Sequence, residues 1–284
     1  MDAVSAASTG SVKIVRINTD IDFVEIEHSS EAVNDSLQSF DAIWYRRPFE
    51  SYDAKVEFTA DEIIYNQESS EMLWNHMLLV PKEKWINFPA DNWFAERKLV
   101  QLRQAKQLGL STPQWLISRD VRTIQEFIRS SPNGCIAKPI DNGYIPHGNG
   151  LSIIYTSKIT LDSNFSSAKN CPTLIQFEIP KKYDVRSIYI DGHVLYIGID
   201  TENLDCRRNE MRNAKYSIVN PPQNVHAAYV NFIKSFGLRF STSDFVVTPS
   251  GEWVFLENNP NGNWAWLEEY FPGIIVEHFL SGIK

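Results

Sequence analysis

Hydrophobic and polar residues alternate in short blocks along the chain, and each block predicts one element of secondary structure. In the first third, apolar runs at residues 12–17 and 42–45 predict strands, and the alternating residues 23–27 predict a hairpin partner. Residues 60–80 carry apolar side chains spaced three and four apart, which predicts a helix. These elements end near Pro89 and are typical of a small α/β unit.

The middle of the chain mixes helical and strand patterns. Asp91 is suited to cap a helix that runs to about Leu108, with Gly109 at its C-terminal end. Residues 141–150 are polar and contain three glycines, and the strands predicted on either side make this segment a hairpin flap. The other elements predicted here are strands at 112–117, 134–138 and 151–156 and a helix at 121–129.

From residue 173 onward the pattern is dominated by strands. The elements predicted here are strands at 174–179, 185–190, 194–199, 244–248 and 253–256 and a helix at 223–236. The tail at 264–280 predicts two short helices broken at Pro272 and Gly273. We therefore expect an α/β protein with an N-terminal unit at 1–90, a central lobe at 91–172 and a C-terminal lobe at 173–284.

The composition excludes several classes of protein. Hydrophobic residues make up 43% and aromatic residues 12% of the 284 residues, which excludes wholesale disorder and collagen-like sequence. The net charge is −8, but residues 1–90 carry 7 basic and 16 acidic side chains, whereas residues 91–172 carry 10 and 6. A globally acidic chain is a poor non-specific binder of nucleic acid, while its basic middle third can still receive an anionic ligand.

The cysteines and the apolar runs indicate the cellular location of the protein. The three cysteines, Cys135, Cys171 and Cys206, include no CxxC pair, which argues against a disulfide framework or a zinc knuckle and favours the cytoplasm. No apolar run approaches the roughly 18 residues of a membrane span, and residues 1–11 lack the basic and apolar regions of a signal peptide. We expect a cytoplasmic protein without membrane segments.

The strongest chemical signal lies near the C-terminus. Asp244 is predicted to begin an apolar strand, a Pro-Ser-Gly turn follows, and the return strand ends in Glu257, Asn258 and Asn259. A hairpin of this length brings Asp244 near Glu257 and Asn259, since residues two apart on a strand face the same side. Three oxygen-bearing side chains at one hairpin end predict an Mg²⁺ site, the alternative being a hairpin end with solvated acids.

Two further segments carry less specific signals. Lys138 ends a strand beside the glycine-containing loop, where it can bind phosphate, although lysines commonly end strands. The segment from Gln176 to Arg186 is a strand, a linker with Pro180 and a second strand, and such a hinge can present groups to an adenine and its ribose. Asp184 and Arg186 share a strand face, which an ordinary salt-bridged pair also explains.

Taken in order, these segments resemble the ATP-grasp ligases over roughly residues 91–284. The matching features are, in sequence, a helix with Lys98, a strand with Lys138, the glycine flap, the hinge with Glu178, Asp184-Val-Arg186, Asp244 and Glu257-x-Asn259. Within that superfamily the chain is similar to the graspetide (microviridin-type) peptide macrocyclases. The segments that carry this likeness are Arg16-Ile-Asn-Thr-Asp20, Trp44-Tyr-Arg-Arg-Pro48, Ala95-Glu-Arg-Lys98, Asp184-Val-Arg186 and Glu257-Asn-Asn-Pro-Asn-Gly-Asn-Trp264. The chain departs from the group at Asp205-Cys-Arg207-Arg208, where the group often has Asp-Trp-Arg.

The resemblance implies a three-lobed ATP-grasp architecture with ATP between the central and C-terminal lobes. The implied site residues are Lys98 and Lys138 for the phosphates, Gln176, Glu178, Ile179 and Asp184 for the rest of the nucleotide, Asp244, Glu257 and Asn259 for Mg²⁺, and Arg186, Arg207 and Arg208 for an acyl-phosphate. Solvent-facing roles remain the alternative for Lys98, and core packing is favoured for Trp264.

The resemblance also implies an activity and partners. The expected protein is an ATP-dependent ligase that phosphorylates Asp or Glu side chains of a ribosomally made precursor peptide, with its leader and core, and closes intramolecular ester or amide links. A ligase that adds a free amino acid to a peptide or metabolite is the first alternative, and a nucleotide-binding regulatory protein without turnover is the second. A homodimer is expected from the resemblance alone, and no nucleic-acid or membrane partner is expected.

Overall fold

The computed structural model describes residues 42–44, 59, 61, 80–140, 143–147, 150–201 and 214–282. The elements predicted at 12–17, 23–27 and 60–80 lie outside the described residues, apart from single positions of the last. Arg207 and Arg208 lie outside them as well. The described strands and helices are numbered in chain order.

The described N-terminal part contains a short pair of strands. Strand β1 (Ile43–Trp44) runs parallel to β2 (Trp85–Ile86), and a 3-10 turn (Lys82–Lys84) directly precedes β2. Both residues of β2 are fully buried, so this pair is anchored in the interior. The strand predicted at 42–45 is thereby confirmed.

Two helices are present where the sequence predicts one. Helix α1 spans Pro89–Ala95 and helix α2 spans Lys98–Gln107. Arg97 between them has an extended backbone, with φ −73° and ψ 102°, so the prediction of a continuous helix was wrong. The side chain of Gln101 donates a hydrogen bond to the carbonyl of Ala95, which satisfies an acceptor left over where α1 stops.

Of the two residues predicted to bound this helical segment, Gly109 is confirmed and Asp91 is not. Asp91 does not cap a helix, because Phe88 is the N-cap residue of α1 and the Asp91 carboxylate instead pairs with Lys82 Nζ at 2.7 Å. Pro89 occupies the start of α1, where a missing N–H costs nothing. Gly109, with φ +88°, follows the end of α2 as predicted, in a conformation that glycine adopts without steric cost.

A four-stranded antiparallel sheet occupies the centre of the chain. In spatial order its strands are β3 (Trp115–Ser118), β8 (Thr173–Phe177), β4 (Cys135–Lys138) and β7 (Ser157–Ile159). Helix α3 (Val121–Ser130) covers one face, where Ile124 and Ile128 pack with Cys135 and Ile175. The predicted helix and strands are confirmed with shorter strand bounds, and β7 was not predicted.

The glycine-containing segment forms its own small hairpin. Strand β5 (Tyr144–His147) pairs antiparallel with β6 (Gly150–Ile153), so the prediction that residues 141–150 form only a polar loop was wrong at 144–147. Pairing with β6 satisfies backbone groups that a loop would leave to water. A hairpin is present at this place, but β6 pairs with β5 rather than with the strand predicted at 134–138, and the two hairpin strands stand apart from the four-stranded sheet.

A five-stranded antiparallel sheet contains the C-terminal strands. Its spatial order is β11 (Lys215–Ile218), β10 (His193–Asp200), β9 (Tyr183–Ile190), β12 (Phe240–Val247) and β13 (Trp253–Asn259). Helix α4 (Gln223–Ser235) follows β11 and was predicted within one residue. The predicted strands are confirmed but most are longer, because flanking residues that are mostly polar, such as Asp184, Asp200, Ser243 and Asn258, also pair, and β11 was not predicted.

The two faces of this sheet are covered by different elements. On one face, Tyr229 and Phe232 of α4 pack against Phe245 and Phe255, and Leu102 of α2 joins the same core. On the other face, the tail packs against Ile188, Ile190 and Ile197. Burial on both faces explains the continuous apolar runs at 188–190 of β9, 194–197 of β10 and 245–247 of β12.

The tail is a 3-10 helix (Ala265–Glu269) followed by helix α5 (Ile274–Gly282), as predicted from the break at Pro272 and Gly273. The Glu268 carboxylate accepts hydrogen bonds from the backbone N–H groups of Gly273 and Val276, which closes the turn. Trp264 is 1% exposed and stacks against Phe279, with ring centroids 5.3 Å apart. Packing is therefore the role of Trp264.

Trp44 of β1 joins this aromatic stack. Its ring lies 6.1 Å from that of Trp264 and 4.5 Å from that of Phe279. Aromatic pairs at these separations stabilise a core beyond the area that they bury. Among the described residues, no helix is long and apolar enough to cross a membrane.

His278 of α5 gives the fold a specific pH dependence. Its Nε2 lies 3.0 Å from the Ile188 carbonyl, and burial lowers the pKa of His278 below its ordinary value of 6.5. The unfolded chain then binds the proton more readily than the folded chain, so stability falls as the pH drops through 6.5 toward the lower folded pKa. Replacing His278 by Gln should flatten the pH dependence of the urea unfolding midpoint between neutral and mildly acid pH. An unchanged slope would contradict this account.

Candidate functional site

The register of the C-terminal sheet collects charged residues on one face. Asp244 in β12 lies directly opposite Arg186 in β9 and directly opposite Glu257 in β13. Asn259 pairs with Thr242 two residues along, so it shares a face with Glu257. The structure therefore brings together the three residues that the sequence predicts as metal ligands.

The position of Asp244 within its strand differs from the prediction. Strand β12 begins at Phe240, so Asp244 lies inside the strand rather than at its start. Ser241 and Ser243 are fully buried and pair in the ladder, which a pattern search for apolar residues does not detect. The ladder between β12 and β13 has an irregularity between Asp244 and Phe245, directly beside the site.

An ion pair joins the two strands at the centre of this face. Arg186 Nη1 donates to both carboxylate oxygens of Asp244, at 2.7 and 2.8 Å. Arg186 Nη2 donates to the backbone carbonyl of Asn263 at 3.0 Å, in the loop that follows β13. The Arg186 side chain is 14% exposed and that of Asp244 is 26% exposed, so the pair is shielded from bulk solvent more than an ordinary surface pair.

Burial and a second carboxylate act together on Asp244. Removal from water raises the pKa of Asp244, the Arg186 guanidinium opposes this rise, and the negative charge of Glu257 adds to it. Two carboxylates held side by side in a partly buried place repel each other when both are ionised. A bound cation would relieve that repulsion.

Asp184 forms a second charged pair on the same strand face. Its carboxylate accepts a hydrogen bond from Lys181 Nζ at 2.8 Å. Burial raises the pKa of Asp184, the Lys181 charge lowers it, and the charge of Asp244 raises it further. The positive charge of Lys138 lowers the pKa of both Asp184 and Asp244. Lys138 of the central sheet therefore acts on carboxylates of the C-terminal sheet.

The two predicted phosphate-binding lysines are also brought together. Lys98 is the first residue of α2, and its Nζ donates to the backbone carbonyl of Pro139 at 3.0 Å. Pro139 directly follows Lys138, the last residue of β4. The side chain of Lys98 is thus directed to the end of the central sheet, rather than along a solvated helix face.

The predicted nucleotide residues around the hinge have distinct environments. Gln176 lies within β8 and is 2% exposed. The half-buried Glu178 follows β8, and its carboxylate pairs with Lys158 Nζ of β7 at 2.6 Å while its backbone N–H donates to the Gly134 carbonyl. Ile179 follows it and is half-buried. The hinge is therefore anchored to the central sheet before the chain enters β9.

Sequence reasoning missed several polar residues that surround the site. Lys181 lies in the linker and pairs with Asp184, and Asn263 supplies a carbonyl to Arg186. Gln101 of α2 contacts the backbone of Asn258, between the predicted ligands Glu257 and Asn259. A signal for Gln101 did exist, because it occupies the same helix face as Leu102 and Ala105, which are buried.

The donor set of the predicted metal site suits a hard divalent cation. Asp244 and Glu257 offer carboxylate oxygens and Asn259 offers an amide oxygen, which are the ligand types that Mg²⁺ prefers. In the part of the chain that the structure describes, no group of three or more His, Cys, Asp or Glu side chains could hold a metal ion. The predicted site has only two carboxylates and one amide. Such a set fits a metal whose remaining coordination positions are filled by water or phosphate oxygens.

These features belong to a known fold. The chain has the ATP-grasp fold, because solved structures of ATP-grasp ligases match most of its length. The predicted fold class is thereby confirmed. No family model matches the sequence.

Three solved structures illustrate the likeness. The macrocyclase MdnC bound with precursor peptide MdnA, from Microcystis aeruginosa MRC, is 24% identical with a TM-score of 0.75, covering 87% of this chain and 78% of that chain. A Chryseobacterium gregarium RiPP-associated ATP-grasp ligase in complex with ADP and a leader and core peptide is 19% identical with a TM-score of 0.74, covering 85% and 75%. The ATP-grasp ligase PsnB, complexed with minimal precursor, Mg and ADP, is 21% identical with a TM-score of 0.65, covering 86% and 78%.

Gly262 gives a test of how tightly the site is packed. A Cβ at this position would overlap Thr242 Oγ1 and lie 3.1 Å from Arg186 Nη2. Gly262→Ala should therefore destabilise the fold by about 1–3 kcal/mol, the usual cost of overpacking. The urea unfolding midpoint measures this effect.

Gly251 provides the matched control. It lies in the exposed turn between β12 and β13 with φ +88°, and nothing lies within 4 Å of a Cβ placed there. Gly251→Ala tests backbone strain alone, at about 1 kcal/mol. A Gly262→Ala variant no less stable than Gly251→Ala would contradict the close approach to Thr242.

Proposed function

We propose that the protein is an ATP-dependent ligase that activates carboxyl groups of a peptide substrate. The observation that carries the proposal is the convergence of Lys138, Arg186 and the carboxylates of Asp244 and Glu257 on one face of the C-terminal sheet. Solved structures with the same fold contain ADP, Mg and precursor peptides, which supports the same classes of ligand here.

The residues present divide between nucleotide and metal. Asp244, Glu257 and Asn259 would hold Mg²⁺, which when bound neutralises phosphate charge during transfer. Lys98 and Lys138 would bind the phosphates of ATP, since both are directed to the end of β4. Gln176, Glu178, Ile179 and Asp184 would contact the adenosine along the hinge, and the β5–β6 hairpin would cover the phosphates.

The proposed chemistry has two steps. A carboxylate oxygen of the substrate attacks the γ-phosphorus of ATP, an O–P bond forms, and ADP leaves. A hydroxyl or amine of the substrate then attacks the acyl carbon, the C–O bond to phosphate breaks, and the nucleophile loses its proton to solvent. The positive charge of Lys138 and of Arg186 stabilises the negative oxygens that develop in both steps. Arg207 and Arg208 are further candidates for this role.

We further propose that the substrate is a ribosomally made precursor peptide, with a leader and a core, whose Asp or Glu side chains are joined to hydroxyl or amine groups of the same peptide. The precursor peptides in the solved structures of MdnC and PsnB support this class of substrate. The product would be a macrocycle with ester or amide links. Addition of a free amino acid to a peptide is the competing outcome.

The proposal also covers the domains, the oligomeric state and the location of the protein. We propose an N-terminal domain at 1–90, a central lobe at 91–172 that is completed by β8 (Thr173–Phe177), and a C-terminal lobe from the hinge to residue 284, with ATP between the last two. A homodimer in the cytoplasm agrees with the sequence resemblance, and the cysteines Cys135 and Cys171 are free. Light scattering at two protein concentrations tests the dimer.

The mass of the peptide product tests the reaction. A candidate precursor peptide, rich in Thr, Ser or Lys and in Asp or Glu, is incubated with the protein, ATP and Mg²⁺. Cyclisation should lower the peptide mass by one water per link and release one ADP for each, whereas addition of an amino acid would raise the mass. If the protein binds the nucleotide but releases no ADP with any such peptide, the result would favour a regulatory protein instead.

Glu257→Gln should lower kcat/KM for the peptide by at least about a hundredfold, since it removes a charge from the metal site and leaves the shape unchanged. Glu269→Gln is the matched control, because Glu269 is an exposed carboxylate in the 3-10 helix of the tail. Both variants are assayed for ADP release across a range of Mg²⁺ concentrations. Full activity of Glu257→Gln would overturn its assignment as a metal ligand.

Lys138→Ala should raise the apparent KM for ATP by about tenfold or more, because a phosphate-binding charge is lost. Lys106→Ala is the control, as Lys106 lies on the exposed face of α2. The dependence of the initial rate on ATP concentration measures both variants. Equal ATP dependence in Lys138→Ala and the unmodified protein would count against the phosphate role.

A further inference from the structure

The backbone of β13, the strand that carries the proposed metal ligands Glu257 and Asn259, is held by one buried side chain of α2. Gln101 Oε1 accepts a hydrogen bond from the backbone N–H of Asn258 at 2.9 Å, and Gln101 Nε2 donates to the backbone carbonyl of Asn258 at 2.8 Å. The same Nε2 donates to the carbonyl of Ala95 at 2.6 Å. Gln101 is 1% exposed, so all three hydrogen bonds are shielded from water.

This contact caps the edge of the sheet. Strand β13 is the outer strand on this side of the described sheet, where an isolated bridge from Ser111 pairs with Val254 and Phe255 but no strand lies beside Asn258. The amide of Gln101 pairs with both groups of Asn258 in the way that another strand would. Without it, two buried backbone groups would be left unsatisfied.

The side chain of Asn258 is fixed from within the sheet. Its Oδ1 accepts hydrogen bonds from Ser241 Oγ at 2.7 Å and from Ser243 Oγ at 2.8 Å, both on β12. Asn258 is 2% exposed. Since successive residues of a strand point to opposite faces, Glu257 and Asn259 then point to the face that carries Asp244.

The end of β13 depends on such contacts more than the rest of the strand does. The irregularity between Asp244 and Phe245 separates Glu257, Asn258 and Asn259 from the regular ladder at 253–255. Beyond Asn259, the side chain of Asn87 donates to the Pro260 carbonyl at 3.2 Å, and Asn92 donates to the side chain of Asn261 at 3.3 Å. Amide side chains from residues 87–101 therefore hold the segment from Asn258 to Asn261.

We propose that Gln101 is a positioning residue for the metal ligands Glu257 and Asn259. This inference rests on the proposed function, because it assigns to Gln101 the task of aligning the metal site of that ligase. Gln101 acts through the backbone of Asn258, which lies between the two ligands. Its loss should weaken metal binding more than it disturbs the rest of the fold.

The experiment measures binding of Mn²⁺, a paramagnetic substitute for Mg²⁺, in the presence of ADP by electron paramagnetic resonance. The variant is Gln101→Met, which keeps the length and packing of the side chain and removes its hydrogen bonds. We expect Mn²⁺ affinity to fall by about tenfold or more, the usual effect of losing a group that orients a metal ligand. Gln101→Asn has a shorter amide that cannot reach both backbone groups of Asn258, so it should show the same loss of affinity. This second variant replaces Gln101→Met in the experiment if Gln101→Met does not fold.

The control separates alignment from general loosening. Leu102→Val alters the next residue of α2, which is 2% exposed in the core beneath the sheet. It should lower the unfolding midpoint while leaving Mn²⁺ affinity unchanged at a temperature well below that midpoint. An equal loss of affinity in Leu102→Val and Gln101→Met would overturn the positioning role.

The outcomes distinguish this inference from the proposed function. If the unmodified protein binds no Mn²⁺ with ADP, the proposed function fails at its metal site. If the unmodified protein binds Mn²⁺ and both Gln101 variants bind it equally well, only the positioning role is overturned. In catalysis, the Gln101 variants should require more Mg²⁺ for half-maximal rate, with a smaller change in the KM for peptide.

Discussion

The Arg186–Asp244 ion pair is the interaction on which the arrangement of the site depends. It ties together two neighbouring strands whose carboxylates would otherwise repel one another, and through Arg186 Nη2 it also holds the loop that carries Asn263. A half-buried carboxylate beside a second one is costly unless cations balance it. Arg186 supplies one such balance from the same sheet, and Lys138 supplies a second from the central sheet. Positive charges from both sheets therefore balance the carboxylate of Asp244, although the chain as a whole carries an excess of acidic residues.

Several polar side chains around the site share one role, since each satisfies a backbone group at the end or edge of an element. Lys98 binds the carbonyl that follows β4, Gln101 binds the edge of β13, and Asn87 binds backbone groups of Phe240 and Pro260. Buried backbone groups must be paired, and side-chain amides can donate and accept at once. Such side chains hold the ends of the strands and helices around the site, where regular backbone pairing stops.

Local patterns in the sequence were sufficient to predict some of this arrangement. The hairpin that joins Asp244 to Glu257 and Asn259 is short, so strand alternation and a turn signal place those residues together. The contact between Arg186 and Asp244 spans 58 residues and that between Gln101 and Asn258 spans 157, and no local pattern encodes either pairing. The break between α1 and α2 was missed for the same reason, because the acceptor at Ala95 is satisfied by a side chain that a helical pattern assigns to the helix interior. Propensity alone cannot anticipate a helix end that tertiary contacts stabilise.

The stack of Trp44, Trp264 and Phe279 has a consequence for how the chain folds. It joins β1, from the first fifty residues, to the loop after β13 and to α5, the last helix described. Residues this far apart in the sequence then unfold together rather than lobe by lobe, because opening any one of them exposes the rings of the others. A fragment cut near residue 90 would therefore lose Trp44, and with it the aromatic partner that covers Trp264 and Phe279 at the opposite end of the chain.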